Sequence, residues 1–280
     1  MPEIGEIQAH AERLDTEWVG KTLATFRPIT FYVLKTFTPD PANAHGQTLR
    51  AVTTRGKYLK LVFDETTFLI HLMQGGRLRP DETQSAKPRG GQARWTFDDG
   101  TALLLTEAGS DKRAGIWVFD NATELDSAEP LSKLGPNADT VDAQLLAEIL
   151  GEHSMRIHGL LRRQSIIAGL GRRLANDVCH HAQISPFATA SKLTSTQIDA
   201  VNTAIAECIE RSLEFERAQT EIVTSKKRPS AVHNKTGEDC PVCADTIREV
   251  AYVKYSVNYC ATCQTNGKVL ADNTTSKFLK

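Results

Sequence analysis

The sequence predicts an α+β protein: an N-terminal helix leading into a β-sandwich, a helical middle region, and a small cysteine-bearing ribbon. Three observations predict it. Between about Thr22 and Asp120, six short runs of strand-forming residues are separated by turn residues. The next hundred residues carry helical patterns. Near the end, Cys240-Pro241-Val242-Cys243 and Cys260-Ala261-Thr262-Cys263 form two Cys-x-x-Cys knuckles with sixteen residues between them.

A chain of 280 residues is long enough for about two domains plus the ribbon. No apolar run approaches a membrane span, and no secretory signal opens the chain, so a cytoplasmic protein with no membrane partner is expected. The net charge of −1 argues against a uniformly basic nucleic-acid binder. The distribution argues for one basic side. From Lys226 onward basic residues outnumber acidic ones nine to five, and Arg156 to Arg173 holds five arginines and no acid.

In chain order, Met1-Pro2-Glu3 opens into a helix whose apolar face is Ile4, Ile7, Ala11, Leu14 and Trp18, with Gly20 as its stop. Proline suits the first helical position and Glu3 suits the helix dipole, which is a sufficient structural reason for both. The strands are read at Leu49–Thr53, Tyr58–Phe63, Phe68–Leu72, Arg94–Phe97, Ala102–Leu105 and Ile116–Phe119. Arg55-Gly56-Lys57 and Asp98-Asp99-Gly100 mark turns, and 39–46 and 80–91 read as exposed loops. After a Pro/Asn/Asp-bearing linker at 131–142, helices are expected at 141–150, 156–163, 172–182 and 194–215, the last in two pieces.

The paired knuckles offer four thiolates, enough to close a tetrahedral zinc site with no open position. Two disulfides are the rival reading, disfavoured by the spacing and by the missing secretory signal. The β-branched stretch 246–255 between the knuckles reads as a hairpin. Cys179 and Cys208 lie in helical patterns and read as buried thiols.

Three separated pieces coincide: Met-Pro-Glu at the start, a helix–turn–helix unit around Gln164-Ser165-Ile166-Ile167-Ala168-Gly169-Leu170-Gly171, and the four-cysteine ribbon ending Cys260-Ala261-Thr262-Cys263-Gln264. Together they resemble the formamidopyrimidine-DNA glycosylase / endonuclease VIII family of base-excision repair enzymes. The run from Asn258 to Asp272 looks most like actinobacterial members, although Asn266-Gly267 stands where relatives often carry a glycine pair. The resemblance implies a catalytic β-sandwich domain at 1–130, a helix–two-turn–helix DNA-binding domain at 131–235 and a zinc-ribbon hairpin at 236–280. It implies a monomer that acts on double-stranded DNA containing damaged bases or abasic sites, as glycosylase and abasic-site lyase, with one structural zinc ion on Cys240, Cys243, Cys260 and Cys263.

It also implies roles. Pro2, freed of Met1, would be the nucleophile, Glu3 the general acid/base, and Lys57 a catalytic-site lysine holding the phosphate beside the lesion; a solvated turn lysine is the plain alternative. Gln74, Lys112 and Arg113 would lie where the family fills the void left by a flipped base. Gly171, Arg172 and Lys254 would contact the DNA backbone.

The sequence departs from the family at several of these places. Gly5 replaces a second proline, Arg172 an asparagine, Asp177 a glutamate, and Tyr255 the hairpin-tip arginine. Gln74 and Ala114 stand at the methionine and aromatic places of the wedge, and the segment 224–235 is short where oxidised-purine enzymes have a lesion-capping loop. These departures weigh against 8-oxoguanine specificity and keep open a catalytically weak relative that only binds damaged or abasic DNA.

Overall fold

The computed structural model describes residues 1–121, 123–224, 227–253 and 255–270. Helix α1 (Ile4–Trp18) buries Ile4, Ile7, Ala11, Leu14 and Trp18, the face read from the sequence. Val19 ends it in extended backbone, and Gly20 follows at φ +90°.

Eight strands follow: β1 (Leu23–Pro28), β2 (Leu49–Arg55), β3 (Tyr58–Phe63), β4 (Thr66–His71), β5 (Gly76–Pro80), β6 (Gly91–Phe97), β7 (Ala102–Glu107) and β8 (Gly115–Asp120). They form two antiparallel four-stranded sheets, ordered β1-β6-β7-β5 and β2-β3-β4-β8. The inner faces share one apolar core, in which Phe26 of one sheet lies 4.9 Å from Phe68 of the other and Phe68 lies 5.7 Å from Trp95. This is the expected sandwich, with β1 and β5 added. Helix α1 is tied to β2 where the Val52 N–H donates to Asp15 at 2.7 Å and Thr54 donates to Gln8 at 2.9 Å.

The remaining helices are α2 (Ala143–Gly151), α3 (Ile157–Leu161), α4 (Arg172–His181) and α5 (Ser195–Arg217). The last is one unbroken helix, not two pieces: the run Ser195–Arg217 contains no proline or glycine to interrupt its ladder. Cys179 and Cys208 are buried, and burial pushes the Cys208 thiol up to about 11. At the end, β9 (Ile247–Ala251) pairs antiparallel with β10 (Ser256–Cys260), followed by the short α6 (Ala261–Thr265). The hairpin is therefore centred later than 246–255, with its second strand running into the second knuckle.

The chain forms two compact units. One comprises Met1–Lys133 with Leu213–Lys227, the other Leu134–Ser212 with the chain from Arg228 onward. In the first, Arg217 grips Glu12 with two hydrogen bonds of 2.8 Å and Arg13 donates to the Glu216 carbonyl at 2.7 Å, which fastens α1 to the end of α5. Among the described residues, no helix is long and apolar enough to cross a membrane.

Candidate active site

The start of the chain is built on a reciprocal cap. Glu3 takes extended backbone (φ −112°, ψ −176°) and is the N-cap of α1. Its carboxylate accepts the N–H of Glu6, and the Glu6 carboxylate accepts the N–H of Glu3. This is a capping box with glutamate at both places. Glu3 is 4% exposed and Glu6 is fully buried, so the box holds both carboxylates in place. It also corrects the position of Pro2. The helix begins at Ile4, so Pro2 lies outside it, and the helical preference for proline does not account for the residue. Pro2 is buried, whereas Met1 is 40% exposed.

Lys57 follows Gly56 (φ +57°) in the β2–β3 turn, yet it is only 4% exposed. That burial removes the solvated-lysine reading. Across the sheet, Tyr58 is registered opposite His71, whose ring meets the tyrosine edge-on at 4.6 Å. Burial, then the charges of Lys57 and of the terminal amine, push the His71 imidazole down to about 4. The amine, Lys57 and a neutral histidine therefore share one neighbourhood. The His71 Nδ1 accepts the Met73 N–H at 3.0 Å, which orients the ring. The sequence offered one signal for His71 that went unread: a lone imidazole in the apolar strand Phe68–Leu72.

Gln74 is exposed on the turn between β4 and β5. The turn is tight: the Gly76 N–H donates to the Leu72 carbonyl at 2.8 Å, and a Cβ on Gly76 would lie 2.1 Å from that oxygen. The Ala108 N–H donates to Gly75 at 3.2 Å, which brings this turn against the loop after β7. That loop is shaped by Glu107, whose carboxylate accepts the N–H groups of Arg113 at 2.7 Å and Ala114 at 2.8 Å, while Lys112 donates to its carbonyl. Arg113 is exposed beside Asp111 at 2.6 Å. Ala114 is fully buried and presents no wedge to solvent.

In the second unit, Gly171 caps α4 in extended backbone and Arg172 is its exposed first residue. Gln164 staples the preceding turn, donating to the carbonyls of Arg162 (2.9 Å) and Leu170 (2.7 Å) and accepting from Gly169 (3.0 Å), itself at φ +105°. Asp177 accepts from Ser230 Oγ, Ala231 N and Val232 N at 2.6–3.2 Å, so it anchors the segment that enters the ribbon.

The four sulfurs of Cys240, Cys243, Cys260 and Cys263 lie within 4.8 Å of one another. Three of their separations are 3.4, 3.4 and 3.8 Å. A disulfide is about 2.05 Å long, so the knuckles are not bridged. A tetrahedral metal bound to sulfur at about 2.3 Å has sulfur–sulfur edges of about 3.8 Å. The cluster fits a metal ion of that kind. His180 Nε2 lies 3.2 Å from Cys240 Sγ, where an imidazole N–H can steady the thiolate. Val232, Cys240, Ile247 and Cys260 form the ribbon's core. Lys254 lies outside the described residues, and its neighbour Tyr255 is half-buried in the hairpin turn.

Residues 1–113 match the formamidopyrimidine-DNA glycosylase N-terminal domain, and residues 133–224 match the formamidopyrimidine-DNA glycosylase H2TH domain. An uncharacterized formamidopyrimidine-DNA glycosylase-like protein of Mycobacterium tuberculosis is 40% identical over 149 residues, 52% of this chain and 94% of that protein. The chain belongs to the formamidopyrimidine-DNA glycosylase family. The family's glycosylase from Chloroflexus aurantiacus is 26% identical over 276 residues, covering 94% of this chain and 98% of that protein. The Lactococcus lactis family member in complex with DNA containing an abasic site superposes with a TM-score of 0.83 at 20% identity, over 94% of this chain and 99% of that one. The expected α+β fold of sandwich, helix–two-turn–helix region and four-cysteine ribbon is thus the family's own. The mycobacterial relative agrees with the actinobacterial likeness of the sequence.

Proposed function

We propose that this chain is a DNA glycosylase with abasic-site lyase activity, which removes oxidised bases in base excision repair through a Schiff base on Pro2. The observation that carries the reading is the chain start. A proline that the helix does not require sits beside a buried, doubly hydrogen-bonded Glu3, in the neighbourhood of Lys57 and His71.

Removal of the exposed Met1 would turn the Pro2 nitrogen from an amide into a secondary amine. Ordinary terminal amines titrate at about 7.7–8.0, so a useful fraction is unprotonated at neutral pH. The lone pair attacks the sugar carbon C1′ and displaces the damaged base, which leaves with a proton. The amine gives up its own proton, the C1′–O4′ bond opens with a proton going to O4′, and an iminium forms between Pro2 and the ring-opened sugar. Glu3 serves as general acid/base, moving protons on and off the sugar as that bond opens and during the elimination that cuts the strand. The neutral His71 adds no further positive charge beside the amine, and Lys57 supplies a cation for the neighbouring phosphate. The target base must leave the stack first, at about a few kcal/mol. Gln74, Lys112 and Arg113, on two abutting turns of the first unit, are the groups assigned to the vacated space, and Gly171, Arg172 and Lys254 are assigned to phosphates. Zinc on the four cysteines would be structural, because all four positions are filled by thiolates.

The test is incubation of the Met1-free protein with duplexes carrying oxidised purines, oxidised pyrimidines or an abasic site. Base release and strand scission on at least one of them is expected. Tight binding with no scission on any would establish a damage-binding protein instead.

A further inference from the structure

We propose that Arg162 is a DNA phosphate-binding residue, presented by the ring of Tyr255; this rests on the DNA-binding reading above. Arg162 closes the C-terminus of α3 and is half-exposed. Its guanidinium lies over the Tyr255 ring, 4.1 Å from the centroid. Tyr255 in turn stacks on Tyr252 at 4.7 Å and 16°, and the Tyr252 N–H closes the hairpin turn on the Tyr255 carbonyl at 2.8 Å. The platform is thus part of the ribbon turn itself.

The chemistry of this arrangement points to an anion. A guanidinium held by a ring face keeps its in-plane N–H groups uncommitted, and those are the groups that bind a phosphate two at a time. Among the described residues Arg162 makes no ion pair; its Nε is buried without a hydrogen-bond partner, so the half-exposed side chain would meet a phosphate through its two terminal Nη groups. Its charge is felt nearby: His158 is pushed down to about 3, first by burial and then by Arg162, so the imidazole beside it stays neutral. Arg162 also belongs to the run from Arg156 to Arg173, which contains five arginines and no acid. Tyr255 stands where the family resemblance leads one to expect a cation at the hairpin tip. Here the ring brings one to the turn from α3.

The test is a salt titration of binding to a duplex with a stable abasic-site analogue, using the zinc-loaded full chain. Arg162→Gln should lower the log–log salt slope by about 0.9, the value of one phosphate contact. Tyr255→Phe, which keeps the ring, should leave the slope unchanged. Tyr255→Leu should reproduce the Arg162→Gln loss, and the double variant should lose no more than either single one. Equal zinc content in all proteins separates a lost contact from a damaged ribbon. An unchanged slope for Arg162→Gln overturns the proposal, and so does a full loss in Tyr255→Phe. If the unsubstituted protein fails to bind the duplex, the DNA-binding reading falls as well.

Discussion

At the scale of the residue, the account turns on Glu3 and Lys57, both charged and both buried. A glutamine at position 3 can still accept the Glu6 N–H through its carbonyl, so the cap survives while the proton-transfer capacity is lost. Glu3→Gln should therefore fold and bind damaged duplex as before, yet release the base about 10²–10⁴-fold more slowly under single-turnover conditions. An unchanged rate would return Glu3 to the role of a helix cap. Lys57 makes a separate claim. If it faces a phosphate, Lys57→Ala should flatten the salt dependence of duplex binding by about 0.9 on the log–log scale. A slope equal to that of the parent protein would show the lysine to be internal support for the turn. The sequence shows two glutamates three apart, but the capping box they form and its consequence come from the structure: the observed helix start places Pro2 outside the helix. His71 and His180 went unread as site residues because their significance comes from neighbours distant in the chain, Lys57 and Cys240.

At the scale of the element, the knuckles carry the ribbon. The hairpin β9–β10 is short, and its core includes Cys240 and Cys260, so bound metal should contribute directly to its folding. Metal analysis should find one zinc per chain; chelation should lower the thermal midpoint and abolish duplex binding. A chelated protein that binds as tightly as before would contradict this. His180→Ala should weaken zinc retention by about 10–100-fold, since it removes the donor beside Cys240. Most elements were readable from period and punctuation, and the exceptions have physical causes. Strand β1 buries Leu23 and Phe26, three residues apart, rather than alternating strictly, because its pairing with β6 shifts register between Leu23 and Thr25. Strand β5 is five residues long, opens on glycine, and holds two arginines around a single buried Leu78, which gave too short an apolar signal. The second ribbon strand, Ser256–Cys260, lies beyond the stretch 246–255 expected to form the hairpin, and its run is interrupted by the polar Asn258. In the structure it is buried, and its side chain ties Thr236 and Asn234 to the hairpin.

At the scale of the whole molecule, buried histidines give the stability a pH dependence. His10 and His71 in the first unit and His158 in the second are held well below their ordinary value, to about 3, 4 and 3 respectively, each chiefly by burial. A depressed folded value means that the unfolded chain binds more protons below pH 6.5. Stability is then fully present above that pH and is lost as pH falls from about 6.5 toward 4, by up to about 1.4 kcal/mol per histidine for the first pH unit. Urea unfolding at pH 7.5 and pH 5.5, with zinc content shown to be equal, should give a lower midpoint at the acidic pH. Equal midpoints would contradict the burial of these imidazoles in the folded state.

The central claim is that the nucleophile is the Pro2 nitrogen, and borohydride reduction during turnover tests it most directly. With the Met1-free protein and an abasic duplex, reduction should trap a covalent protein–DNA adduct whose mass and peptide map place the sugar on Pro2. Retaining Met1 should abolish the adduct, because the Pro2 nitrogen is then an amide without a basic lone pair. Pro2→Gly should trap far less, because a primary amine on a looser backbone is poorly positioned. An adduct that forms equally well with Met1 retained, or that maps to a lysine, would contradict the account.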